Sequence, residues 1–192
     1  MTDASTFAWQ PVARPLPVAR AADWLPDLLQ PDLDVVFVGT AAGRRSADIG
    51  HYYAGAGNRF WSTLHHVGIT RREFAPEDDA SLMDLGIGFT DLSKVGYGAD
   101  DKITKDQIDL DRFERSLRIY QPRAIAFTGK KAASLWLKRR TDRIRYGGQR
   151  PRDNLPQVFV LCSPSGAARR YWRLDSWHEL ADWLRATRPW RF

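Results

Sequence analysis

The chain has 192 residues, with 29 Lys+Arg against 23 Asp+Glu and a formal net charge of +6. A 43% hydrophobic share beside 27% charged residues excludes wholesale disorder, and the length predicts a single globular unit. One cysteine, Cys162, excludes an internal disulfide framework and any multi-cysteine zinc or iron–sulfur site. That cysteine usage fits a reducing compartment. No run approaches the roughly 18 apolar residues of a membrane-spanning helix, and Met1-Thr2-Asp3 opens neither a basic nor an apolar stretch. A cytoplasmic or nucleoid-associated protein is the expectation.

The first 30 residues, with Pro11, Pro15, Pro17 and Pro26, read as an irregular arm with one helical turn near Asp23–Leu29. Residues 31–192 are expected to form the domain proper. Leu33 to Val38 is a short apolar, β-branched run ending at Gly39, the pattern of a buried parallel strand that feeds a loop. The loop then runs from Gly39 to Gly57. Asn58 suits the N-cap of a helix over Arg59 to Val67, where Phe60, Leu64 and Val67 recur at helical spacing. Pro76 to Asp84 reads as a further short helix, and Ile87 to Leu92 as a short extended segment. Asp109 to Tyr120 is amphipathic, with Leu110, Phe113, Leu117 and Ile119 inward. Ala124 to Phe127 is a second buried strand, and Thr128-Gly129-Lys130 opens a helix to about Lys138. Val158 to Leu161 is a third strand, and Trp177 to Arg185 the last helix.

Strands alternating with helices predict an α/β fold, a three-layer α/β/α sandwich around a short, mainly parallel sheet. Ligands in such sheets gather at the carboxyl ends of the strands. Those ends are Gly39–Ala47, Thr128–Lys130 and Ser163–Arg170, all rich in glycine or small polar residues. Gly39 to Ser46 resembles a phosphate-cradling loop but lacks both the Lys-Ser/Thr pair of a nucleoside-triphosphate loop and the GxGxxG spacing of a dinucleotide loop.

Charge is unevenly spread. Seven basic residues lie between Lys138 and Arg152 against the single acid Asp142, and Arg169, Arg170 and Arg173 are interleaved with Tyr171 and Trp172. Basic residues mixed with aromatics suit phosphate contact plus base stacking. The densest feature is His51 to Trp61, HYYAGAGNRFW, which sets aromatics on a glycine-rich loop and then enters a helix. Phe60 and Trp61 are expected in the core, whereas Tyr53 precedes flexible glycines and is available to stack a planar base.

The run from Gly39 to Trp61, then Gly86 to Asp91 (GIGFTD), then Ser163 to Arg169 (SPSGAAR), resembles the uracil-DNA glycosylase superfamily. The branch it most resembles is that of the mismatch-specific uracil and thymine DNA glycosylases, in the same order and spacing over about residues 33 to 170. The resemblance implies a nucleotide flipped out of DNA into a pocket, hydrolysis of its N-glycosidic bond to leave an abasic site, and no metal or cofactor. It implies DNA as partner, double-stranded with a mismatch, with single-stranded DNA as a second form. Tyr53 takes the place of the stacking aromatic, and Asn58 that of the asparagine shaping the base pocket. Gly39, Thr40, Ala41 and Ser163 complete the substrate set; Ser163 stands where some relatives carry asparagine. Ser165 and Gly166 stand in the loop that pinches the DNA backbone. Arg169 takes the place of the wedge that fills the hole left by the flipped base. Ser46, Lys130 and Arg170 are expected on the DNA side as well.

One departure carries chemical weight. Members of that branch carry a water-orienting asparagine in a G-I-N-P-G pattern, and the matching residues here are Ala41 and Ala42. Asp91, ending the GIGFTD segment, is the replacement candidate, as a general base that also stabilises the developing sugar cation. Asp48, within the first loop, is second in line, and His51 is a candidate to polarise the leaving base or bind phosphate. The alternative is a non-catalytic module that binds damaged DNA and has lost its chemistry with the asparagine. An unrelated nucleotide hydrolase is the third reading.

Overall fold

The computed structural model describes residues 23–151 and 153–188. Pro11, Pro15 and Pro17 of the expected arm, and Arg152 of the basic cluster, lie outside them. Among the described residues five strands form one sheet: β1 (Val35–Gly39), β2 (Ile87–Asp91), β3 (Ala124–Phe127), β4 (Gly147–Gly148) and β5 (Gln157–Val160). Their spatial order is β2-β1-β3-β5-β4, parallel throughout except for the β4–β5 pair. The helices are α1 (Arg44–Ile49), α2 (Phe60–His66), α3 (Leu110–Tyr120), α4 (Lys130–Leu137) and α5 (Asp175–Thr187).

The strands are continuous apolar runs because both faces of the sheet are covered, and the two-residue period divides each strand between two cores. Val35 and Phe37 of β1 join Ile87, Phe89, Ala126 and Phe159 on one face, under Phe60 and Leu64 of α2 and Trp177, Leu180 and Leu184 of α5. Val36 and Val38 join Ile125, Phe127, Val158 and Val160 on the other, under Phe113 and Leu117 of α3 and Ala133 and Trp136 of α4. The result is the three-layer α/β/α sandwich. Each fully buried large apolar side chain contributes about 2 kcal/mol relative to exposure, so these two cores fix the sheet that carries the loops.

Several local expectations are corrected. The Gly39–Gly57 loop contains α1. Ile87–Asp91 is a full strand at the sheet edge, in register with β1 so that Gly39 faces Asp91. β4 lies in a segment with no strand signature. Helix α2 starts at Phe60, with the Asn58 Oδ1 accepting the Phe60 amide at 3.0 Å. Pro76–Leu85 is 3-10 rather than α-helical. On α3, Phe113 and Leu117 are buried while Leu110 and Ile119 are half-buried. Residues 23–29 form no helical turn. They bend at residues 24 and 25 and meet β2 at one bridge, where Leu28 and Phe89 exchange both backbone hydrogen bonds at 3.0 Å. Pro26 has no N–H to give a helix, and its carbonyl accepts the Tyr52 hydroxyl at 3.1 Å.

Candidate active site

From β1 the chain leaves toward α2 on one face of the sheet, and from β3 toward α4 on the other. This divergence opens a crevice above the strand ends. A cavity of about 250 Å³ lies there, its wall made by Ala41, Ala42, Ser46, Tyr52, Tyr53, Asn58, Asp91, Gly166 and Ala167, with Leu25 from the N-terminal segment.

The first loop is held by backbone bonds rather than by its side chains. The carbonyls of Gly39, Thr40 and Ala42 accept the amides of Leu92, Ser93 and Gly98 at 3.0, 2.8 and 2.7 Å. Thr40 is thereby buried away from the cavity, and Ala41 presents only its methyl and backbone to it. Gly39 is a matter of space. A Cβ there would lie 2.2 Å from the Asp91 Oδ1, so glycine is what lets the carboxylate lie over the end of β1.

Asp91 is 4% exposed, and no hydrogen bond to its carboxylate is made among the described residues. Burial, the largest effect, pushes its pKa up from 3.8 to about 6, against the pull of Lys94. A carboxylate with that value is ionised at neutral pH yet basic enough to take a proton, the property of a general base.

Tyr53 adopts a left-handed backbone conformation at φ 55°, which turns its ring back onto Phe60 at a centroid distance of 3.9 Å and an interplanar angle of 10°. Its hydroxyl is 3.2 Å from the Thr128 Oγ1, and burial, with Asp91 nearby, raises its pKa and keeps the phenol neutral. The ring is thus a fixed plate in the cavity wall. Because the Asn58 Oδ1 is taken by the Phe60 amide, the side-chain NH₂ is left as the donor at the cavity. Ser46 is buried in the wall, where its Oγ accepts the Ala54 amide at 3.0 Å. It supports the aromatic loop from within.

The second loop closes the opposite wall. The Pro164 carbonyl accepts the Arg59 amide at 2.9 Å, and a Cβ on Gly166 would stand 3.3 Å from the Ala56 carbonyl oxygen, so this loop rests directly on the AGAGN turn. Ser165 is exposed and caps the Gly166–Tyr171 turn through the Ala167 amide at 3.3 Å. Ser163 is half-buried behind it, its Oγ 3.4 Å from the Ser165 amide. Arg169 is exposed at the lip, its guanidinium beside Gly57, and Arg170 is exposed next to it. Lys130 is placed 4.5 Å above the ring of Tyr146.

Two candidates stand apart. Asp48 is exposed on α1 and is absent from the cavity wall. The His51 Nδ1 is 3.2 Å from the Asp79 Oδ1, and Asp79 also accepts the Tyr52 amide at 2.9 Å, so the histidine anchors its loop to the Pro76–Leu85 segment. Sequence reasoning missed Leu25, Tyr52, the buried Lys94 and the part-buried Asp27 and Arg112. Lys94 carried the one readable signal, a lysine three residues beyond Asp91 in an otherwise uncharged stretch.

The model of the uracil DNA glycosylase superfamily matches residues 26–186. The chain belongs to that superfamily, and this membership supports a DNA glycosylase class of activity. In fold it is similar to the solution NMR structure of a candidate uracil DNA glycosylase from Methanosarcina acetivorans, with a TM-score of 0.58 at 24% identity over 84% of this chain and 95% of that one. No helix among the described residues is long and apolar enough to cross a membrane.

Proposed function

We propose that this protein excises uracil, and related deaminated or mismatched bases including thymine, from DNA as a monofunctional mismatch-directed glycosylase, with Asp91 in the role that the missing asparagine would have held. The observation that carries this reading is the buried Asp91 carboxylate in the wall of a cavity that Ala41, Tyr53 and Asn58 also line.

A base flipped into the cavity stacks on Tyr53 and accepts a hydrogen bond from the Asn58 amide. As the C1′–N bond breaks, its electron pair leaves with the base and the sugar acquires oxocarbenium character. The ionised Asp91 stabilises that charge and takes the proton of the attacking water, whose oxygen bonds to C1′. Ser165 and Gly166 meet the DNA backbone, and Arg169 enters the stack in place of the flipped base.

The test is strand scission of a labelled duplex with one G·U pair, followed by alkali to cut any abasic site, with single-stranded uracil, G·T and hypoxanthine substrates beside it. Scission by the wild type, lost in Asp91→Asn, is the expected result. Salt-sensitive binding to uracil-containing DNA with no scission on any substrate overturns it. That outcome would favour the binding module, for which the bare methyl of Ala41 is the supporting observation.

A further inference from the structure

Behind the cavity wall lies a group of paired charges, Lys94 buried and Asp27 and Arg112 part-buried, that the proposed reaction does not use. The Asp27 carboxylate accepts the Lys94 ammonium at 2.8 Å and Nη1 of Arg112 at 2.6 Å. It also accepts the Thr90 hydroxyl, one residue before Asp91, at 2.7 Å. Arg112 reaches from α3 to donate its other terminal nitrogen to the backbone carbonyl of Asp91. Lys94, 5% exposed, further donates to the Tyr52 hydroxyl at 3.2 Å. Asp27 itself arrives on the segment that pairs Leu28 with Phe89. That approach depends on Gly88, where a Cβ would stand 2.7 Å from the Leu28 carbonyl oxygen and 2.6 Å from the Leu33 side chain.

We infer that Asp27, Lys94 and Arg112 form a charge clamp that positions the Asp91 carboxylate and sets its proton affinity from behind, making Asp27 a positioning residue for the proposed reaction. This inference rests on the glycosylase reading above. The geometry assigns each member a separate task. Thr90 and the Asp91 carbonyl are gripped from two sides, which fixes the end of β2 and hence the direction of the carboxylate. The two cations are drawn onto Asp27, so neither pairs with Asp91, and that carboxylate stays open to the cavity. The groups that act on Asp91 are Lys94 and Arg112, which favour its charge, and Asp27 and Asp100, which oppose it. The phenols of Tyr52 and Tyr53, held neutral by burial, stand beside it. Removing Asp27 leaves two unbalanced cations near Asp91. Removing Lys94 has the opposite sign.

The experiment is a carboxyl ¹³C NMR titration of the full chain, run beside the pH dependence of kcat/KM on the G·U duplex. In Asp27→Asn the Asp91 midpoint moves down by ~1 pH unit or more, the scale of an opposite charge gained at close range. In Lys94→Gln it moves up by a comparable amount, and in Asp27→Glu it stays near the wild-type value. Opposite displacements in the first two variants support the clamp, and Lys94→Gln alone decides it where Asp27→Asn does not fold. A midpoint unmoved in a folded Lys94→Gln or Asp27→Asn protein overturns it. The NMR readout does not depend on turnover. If the midpoints move as stated while the acid limb of kcat/KM stays in place, the clamp stands and the catalytic assignment of Asp91 falls.

Discussion

The two walls of the cavity are built by opposite physical means. The strand-end wall, Gly39 to Ala42 with Asp91, is buried, stitched by backbone bonds and backed by paired charges. The lip from Ser163 to Arg170 is largely exposed and held by a few contacts to the AGAGN turn. A wall that must hold a charged group at one orientation needs low dielectric and fixed neighbours. A lip that must meet a deformable polyanion needs exposed donors and cations instead. The difference teaches that destabilisation is tolerated on one side only. Each pKa unit is worth about 1.4 kcal/mol, so holding Asp91 ionised in the fold costs roughly 3 kcal/mol at neutral pH.

The strongest way to break this contrast is Asp91→Asn. It is expected to lower the glycosylase rate by at least ~100-fold, on the scale of general-base removal, with DNA affinity retained in a binding titration. The same variant should melt a few degrees higher than wild type above pH 7, because the buried charge is gone. A large rate loss with a lower melting temperature would mean that the carboxylate supports the fold instead. Next in size is Gly39→Ala. The new methyl cannot share space with the Asp91 oxygen, so kcat should fall by ~10- to 100-fold while KM changes little.

The pH dependence sharpens the contrast further. A group with its native pKa raised from 3.8 to about 6 makes the native state bind the proton more tightly than the unfolded chain. Its contribution to stability therefore declines as pH rises from about 4 to about 6, whereas activity rises through pH 6 as the base form appears. Opposed trends in thermal melts and single-turnover rates over that window are the expected result.

At the lip, Arg169→Ala should reduce kcat/KM by about 10-fold and lower the slope of log affinity against log salt by up to ~1, the signature of one lost phosphate contact. An unchanged slope would assign Arg169 to stacking alone. The smallest effect is expected at Asp48→Asn, within about 2-fold of wild type, since its side chain is exposed away from the cavity.

Much of the architecture was legible because it follows from local pattern. Val35–Val38, Ala124–Phe127 and Val158–Val160 are uninterrupted apolar runs, which only a strand buried on both faces requires. The Gly39–Ala47 and Ser163–Arg170 loops stood out as small-residue segments after such runs. Tyr53, Asn58 and Asp91 were legible as residue types at informative positions. Asp48 and His51 stood as lesser candidates and lie outside the cavity wall, because nearness along a chain does not say which way a short helix or loop turns its side chains. Asp27 and Arg112 were illegible, since a solvated charge and a paired, part-buried one look alike in sequence, and only Lys94 carried a signal by its place near Asp91.

By itself, then, the sequence determined the layers, the strand ends and the chemical alphabet of the site, because burial of apolar runs and the φ freedom of glycine act over a few residues. Only the tertiary structure decided which charges meet. The parallel register of β1 and β2 sets Gly39 against Asp91. A segment admitted by Gly88 then delivers Asp27 to Lys94 and Arg112. Electrostatic coupling depends on distance and dielectric in three dimensions, and both are properties of the packed fold.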